Sequence, residues 1–305
     1  MNKKVSILLS LYNPNREYLK KQLVSLNNQT YDNLELIVWN DCPQYEVDKP
    51  LFAECIKNFP YKIYDQKINL GYSKAFEKLV SLANGYYVCF CDQDDIWENE
   101  KIIECISALE RENGTVAVCD KSIIDENDNF LVKSVKEKSK WDWECWSTGD
   151  SISSKAIFMC YATGMSIHAR KDDVEKFVPF VDGVAHDRWI MATLSALGKA
   201  VYVDKPLVRY RRHGNNVTGV LSGINSKSQY YSSRCDNTTL IREFEKYFPD
   251  YTSLQDIKSC NEARMKGNIL KLFKFRNYIP NLYKYEILLS LCPDFIFKLL
   301  VKIVF

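Results

Sequence analysis

VCFCDQDDIW, residues 88–97, sets three carboxylates and an amide directly behind a run of apolar side chains. Val88 to Cys91 has the unbroken apolar character of a strand buried on both faces. Asp92, Asp94 and Asp95 then stand within four positions, where like charges repel. A turn needs one aspartate, two at most. Three point to a cation among them, because hard carboxylate oxygens suit Mg2+ or Mn2+. Alone, the Asp-x-Asp pattern is weak: Asp94 or Asp95 would equally cap a helix opening near Trp97.

Working outward, the chain repeats one theme. Val5 to Leu11 is an apolar run that stops at Tyr12-Asn13-Pro14. Residues 16–29 carry Tyr18, Leu19, Leu23 and Leu26 at helical spacing. Leu34 to Trp39 ends at Asn40-Asp41-Cys42-Pro43, residues 48–58 read as a helix, and Tyr61 to Tyr64 leads to Asn69-Leu70-Gly71. Residues 72–84 are again helical, followed by the quoted strand, a helix from Glu98 to Glu112 and a strand from Val116 to Cys119. This alternation predicts an α/β fold with a mostly parallel central sheet flanked by helices. Ligands bind such sheets beyond the carboxyl ends of the strands. Polar residues collect there: Asn13, Asp41, Asn69 and the aspartates at 92–95.

Past residue 120 the pattern loosens. Residues 125–150 are polar, with Trp141, Trp143 and Trp146 in no assignable element. Phe158 to Ala169 reads as a strand broken at Thr163-Gly164, Asp187 to Leu197 as a helix, and 200–203 and 207–210 as two short strands. Beyond about Gly223 the pattern is helical, which divides the chain at 1–222 and 223–305. The final stretch, YKYEILLSLCPDFIFKLLVKIVF, is interrupted by Pro293 and Asp294. Each piece falls short of the ~20 apolar residues of a membrane span. It reads either as a basic amphipathic helix on an anionic membrane face or as a helix docked on the core.

Composition sets the outer bounds. The 305 residues are 46% hydrophobic and 26% charged, as in a globular chain with a real core. A net charge of +2 excludes nucleic-acid binding built on bulk electrostatics. The 11 cysteines include no CxxC pair, so no zinc site is indicated, and several lie in apolar runs. Reduced, buried thiols point to a cytoplasmic protein, and the N-terminus reads as a first strand rather than a signal peptide.

Three further features join the aspartates: Asp41 behind LELIVW, AHDRW at 185–189 and YRRHGNN at 210–216. A helix cap explains none of them. Taken in order, VSILLSLYN, LELIVWND, NLGYSKA, CDQDDIW, ATG, HDRW and YRRHGNNVTG resemble the family 2 inverting glycosyltransferases of the GT-A fold, and within them the bacterial rhamnosyltransferases of rhamnan and O-antigen synthesis. The resemblance covers about the first 220 residues, implying a GT-A domain at 1–222 and a helical C-terminal region at 223–305 that carries no matching motif. It implies a nucleotide diphosphate sugar donor, dTDP- or UDP-linked, with dTDP-rhamnose first. The implied acceptor is a glycan, free or lipid-linked, at the inner membrane face.

The resemblance also implies roles. Donor contacts fall on Leu11, Tyr12, Asn13, Asp41, Asn69, Gly71, Asp92, Gln93, Arg211 and Arg212. Mg2+ or Mn2+ falls to Asp94 and His213. Asp187 is the general base, preceded by His186 where many members have glutamate; its alternative is a helix cap. Acceptor or sugar contacts fall on Asp95, Trp97, Thr163, Gly164, His186 and Trp189, although tryptophans so close to apolar runs also suit the core. Two other readings stay open: a nucleotidyl or phosphoryl transferase, which lacks its usual glycine-rich phosphate loop here, and a non-catalytic sugar-binding protein of the same fold.

Overall fold

The computed structural model describes residues 2–65, 68–138, 145–214, 224, 226–294 and 296–297. Its strands are β1 (Val5–Leu11), β2 (Leu34–Asn40), β3 (Tyr61–Asp65), β4 (Tyr87–Cys91), β5 (Ile96–Trp97), β6 (Val116–Ile124), β7 (Phe130–Val132), β8 (Ile167–Arg170) and β9 (Ala200–Arg211). They form one sheet in the order β3-β2-β1-β4-β8-β6-β9-β5, with β7 on the edge of β6. β3, β2, β1 and β4 run parallel, as the strand–helix alternation requires. From β8 onward the sheet is mixed: β8 is antiparallel to both β4 and β6, whereas β9 is parallel to β6. β4 is wholly apolar, and β1 nearly so apart from Ser6, bonded to Glu35, and Ser10, because helices cover both faces.

Three local differences from the sequence reading have physical causes. Ile96 and Trp97 pair with Arg209 and Val208. That pairing delays the following helix to Lys101–Arg111, with Glu100 before it, so Asp94 and Asp95 are not its caps. The stretch from Phe158 forms no strand until Ile167, because Gly164–Ser166 is a 3-10 turn. The two short strands at 200–210 are one, β9, whose register against β6 slips where Pro206, lacking a backbone donor, faces Asp120. Trp146 is buried, its indole N–H donating to the Tyr161 carbonyl at 2.8 Å. Trp141 and Trp143 lie outside the described residues.

The helices after residue 223 share the core of the sheet. Leu240, Ile241 and Phe244 on the helix Thr238–Tyr247, and Ile257, Cys260 and Ala263 on the helix Leu254–Met265, join one apolar cluster with Trp189, Met191 and Leu194. That cluster reaches Leu272, Phe275 and Ile279. Among the described residues no helix is long and apolar enough to cross a membrane.

Candidate active site

The parallel strands deliver their tips to one edge, and hydrogen bonds stitch the tips together. The Asp41 amide donates to the Leu11 carbonyl at 2.8 Å, continuing the β1–β2 ladder by one residue. Asp41 Oδ1 then accepts the Leu70 amide at 2.8 Å, fastening the second strand to the Asn69-Leu70-Gly71 loop. Asn69 accepts the Gly71 amide at 2.8 Å. Gly71 has φ +79, a backbone state that disfavours side chains, just before the helix Tyr72–Leu82. Tyr12 is held by a reciprocal pair: its amide donates to Gln93 Oε1 at 2.8 Å, and Gln93 Nε2 donates to its carbonyl at 3.1 Å. Tyr12 and Asn13 stand exposed at this edge, whereas the Leu11 side chain belongs to the core.

The end of β9 clamps the aspartate loop. Pairing of Ile96 with Arg209 sets Arg211 beside Asp95 and His213 beside Asp94. The Arg211 amide donates to Asp95 Oδ1 at 2.9 Å, and Arg211 Nε donates to the Asp94 carbonyl at 2.9 Å. His213 Nε2 lies 2.8 Å from Asp94 Oδ2. Tyr18, on the helix Arg16–Asn27, packs against both: its ring centroid is 5.6 Å from that of His213 and 4.4 Å from the Arg211 guanidinium. Two segments 119 positions apart thus form one site, for a reason rooted in strand register.

The electrostatics show a cluster that is not at rest. Burial first, then the charges of Asp94 and Asp187, push the Asp92 carboxyl up to about 7. Asp92 therefore lies within electrostatic reach of both, and the His186 ring, beside Asp187, packs 5.4 Å from that of Phe90 at the end of β4. Asp95 is fully buried, and its carboxyl is driven well above the usual range by burial and by Asp94 and Asp92. Its Oδ2 has no hydrogen-bond partner among the described residues. Lys121 partly offsets this crowding by lowering both carboxyls. It is nearly buried on β6, and its ammonium donates to Thr163 Oγ1 at 2.7 Å.

These side chains fit a divalent cation. Asp94 and His213 converge, carboxylate oxygen suits Mg2+ or Mn2+, and added positive charge would relieve the neighbouring carboxyls. Among the described residues no group of three His, Cys, Asp or Glu side chains encloses an ion unaided. A cation held by Asp94 and His213 leaves its other positions to ligand oxygens, as Mg2+ commonly does with phosphates.

Asp187 sits in the first turn of its helix, where the residue before the helix is Ala185 and no side chain caps it. Its Oδ1 accepts the Arg188 amide at 2.6 Å. Arg188 turns the other way: its guanidinium donates to the carbonyls of Ala156 and Ile157 and to Asn237 Oδ1, linking this turn to the C-terminal helices.

Several expected contacts are instead supports. Arg211 is fully buried, and its guanidinium is spent on the Asp94 and Asp125 carbonyls and on Asp128, 2.5 Å away. It shapes the loop rather than reaching a diphosphate; Arg212, the next residue, is exposed. Asp95 is sealed beneath the loop. Trp97 is buried under the Lys101 ammonium, 3.2 Å from its ring, and Trp189 is buried with its N–H on the Phe177 carbonyl. Neither can stack on a sugar. His186 is buried among Tyr72, Phe76 and Phe90, which pulls its imidazole down to about 4. Gly164 backs that ring: a Cβ there would lie 2.7 Å from His186 Nε2. Thr163 is half-buried and committed to Lys121. Tyr18 and Lys121 were absent from the expected set. Tyr18 looked like an ordinary helix-face residue, and Lys121 lay just past the expected end of its strand, so neither carried a local signal.

A groove of about 630 Å3 between Lys20, Val24, Trp97 and Arg209 gathers none of the carboxylates at 92–95.

The strand-tip edge and the aspartate loop fall within a match to the Glycosyl transferase family 2 model over residues 6–165, whereas Asp187, Arg211 and His213 lie beyond it. The chain belongs to glycosyl transferase family 2. An uncharacterized glycosyltransferase of Nostoc sp. is 25% identical over 218 residues, 70% of this chain and 66% of that protein, so the matched stretch spans just under two thirds of that relative. A Shigella flexneri protein named dTDP-rhamnosyl transferase RfbG is 27% identical over 238 residues, 70% of this chain and 74% of the relative. Among solved structures, S. aureus TarS 1-349 in complex with UDP-GlcNAc superposes with a TM-score of 0.60 at 14% identity, covering 93% of this chain and 83% of that 1-349 chain. The mannosyltransferase PcManGT of Pyrobaculum calidifontis, in complex with GDP-Man and Mn2+, gives 0.58 at 15% identity, covering 92% and 74%. At such identities these two establish the GT-A type fold and nothing finer.

Proposed function

We propose that this family 2 member transfers a sugar, with inversion, from a nucleoside diphosphate donor to a hydroxyl of a growing glycan. The observation that carries the reading is the packing of His186 on Phe90, which brings Asp187 within electrostatic reach of Asp92 and its neighbour Asp94. The acceptor oxygen attacks C1 of the sugar as the bond from C1 to the diphosphate oxygen breaks. Asp187 Oδ1 already accepts the Arg188 amide, which leaves Oδ2 to take the acceptor proton. Asp94 and His213 would hold Mg2+ or Mn2+, which when bound supplies a Lewis acid for the charge gained by the leaving diphosphate. Asp41, Asn69 and Gly71 line the nucleoside end, and exposed Arg212 is the guanidinium available to phosphate oxygens. The Shigella relative's name supports dTDP-rhamnose as the first donor to try, with a cell-surface glycan as acceptor.

The test is Asp187→Asn. Transfer should fall by about 10^3, while stabilisation of the folded protein by dTDP or UDP with Mn2+ stays unchanged in a thermal melt. Undiminished turnover of that variant would remove Asp187 as the base.

A further inference from the structure

The helices Ile269–Lys274 and Tyr283–Leu291 each bury one face and leave the other bare. Leu272 and Leu289 are fully buried and anchor the pair to the body of the protein. Outward stand Leu270, 84% exposed, and Phe273, 56%, three residues apart and so on one helix face. Leu288 and Leu291, at 51% and 67%, have the same spacing on the second helix. Leu270 is the most exposed large hydrophobic side chain among the described residues.

The charge of this segment is equally one-sided. From Lys266 to Lys284 there are five basic residues and no acidic one, in a chain whose net charge is only +2. Lys271, Lys274 and Arg276 are exposed and interleave with the bare apolar side chains. The Arg276 guanidinium lies over the Phe273 ring at 4.7 Å, an amphipathic pair with one apolar and one cationic end.

We propose that this face docks on an anionic phospholipid bilayer. A soluble polyanion would satisfy the lysines but gives no reason for bare Leu270 and Phe273. An apolar protein partner would satisfy those two but not the unbroken positive charge. A charged bilayer takes both: the apolar side chains enter the headgroup boundary while the basic ones stay at its surface. Docking would hold the cleft beside membrane-borne acceptors. The inference rests on surface chemistry and on no step of sugar transfer, so each reading can fail without the other.

The experiment is flotation of the full chain with phosphatidylglycerol/phosphatidylcholine vesicles and with pure phosphatidylcholine vesicles. The protein should float with the anionic vesicles only. Lys271→Glu with Lys274→Glu should weaken binding at least about tenfold, and so should Leu270→Ser with Phe273→Ser. All four side chains are exposed, so thermal melts of both variants should match the parent. Absence of flotation, equal flotation with neutral vesicles, or full retention by the Leu270/Phe273 variant would each overturn the proposal; the last would reduce the face to a simple polyanion site.

Discussion

The aspartate loop and the C-terminal helices both bury charge, and they treat it in opposite ways. In the helices, Arg264 and Glu286 are almost fully buried, yet they meet through three hydrogen bonds of 2.6–3.1 Å, with Tyr230 on the same carboxylate and the Arg234 carbonyl on the guanidinium. Charges taken out of water are tolerated when paired this closely. In the loop, Asp92, Asp94 and Asp95 crowd one another, and two of the three carboxyls are pushed upward. The first arrangement pairs its opposite charges internally, leaving only Arg264 Nη1 without a partner among the described residues, and serves the fold. The second leaves like charges facing one another, the state that the proposed cation and diphosphate would complete. Frustrated charge at a cleft and satisfied charge in a core come from the same residue types; what differs is whether a partner was built in.

The contrast can be broken first at its stable end. Glu286→Ala strands the Arg264 guanidinium in the core and should cost about 3–5 kcal/mol in chemical denaturation. A loss under 1 kcal/mol would mean the pair is not sealed. At the frustrated end, Asp94→Ala should weaken Mn2+ binding by about 100-fold while leaving metal-free stability nearly unchanged. Titration calorimetry with Mn2+ and dTDP reads this directly, and unchanged affinity would move the cation elsewhere.

Asn237 joins the helix of Asp187 to the C-terminal helices. Its side chain accepts from Arg188 and its amide donates to Asn261 Oδ1 at 2.9 Å. Asn237→Ala should loosen the first turn of the Asp187 helix and lower kcat about tenfold with donor affinity unchanged, whereas Asn237→Asp, which keeps the acceptor, should recover most of it. A parallel loss of donor binding would show general unfolding instead.

The last prediction concerns pH. The Asp92 carboxyl titrates near 3.8 in the unfolded chain and is raised to about 7 in the folded one, so the native state binds the extra proton between those values. Stability therefore falls as pH rises through that window, and the cost is fully present above about 7. Asp92→Asn should raise the metal-free stability at pH 8 and leave it nearly unchanged at pH 4. Melts at both pH values decide it, and a gain at pH 4 equal to that at pH 8 would break the assignment.

Much of this was written locally. The apolar runs ending at Leu11, Trp39 and Cys91 become strands buried on both faces, and their polar tips, Asn13, Asp41 and Asp92, lie on one edge because parallel strands all point the same way. The helix at 186–197 and its early aspartate were legible for a similar reason: period and punctuation are properties of neighbours along the chain. The antiparallel insertion of β8 was not, since nothing in IHAR states which strands will flank it. Nor was the fate of individual polar side chains. Arg211 and Arg212 are adjacent and chemically identical, yet strand alternation buries one beneath the loop and leaves the other in solvent. Trp97 and Trp189 offered the same ambiguity and went to the core.

By itself, then, the sequence determined the alternating architecture, the edge where chemistry collects and the carboxylates that gather there, because strands, helices and turns are encoded at short range. The tertiary structure alone decided which side chains face the cleft. It brought His213 to Asp94, Tyr18 between His213 and Arg211, and Asn237 to the helix of Asp187. Each of those contacts joins segments far apart in the chain, and only sheet register and core packing set such distances.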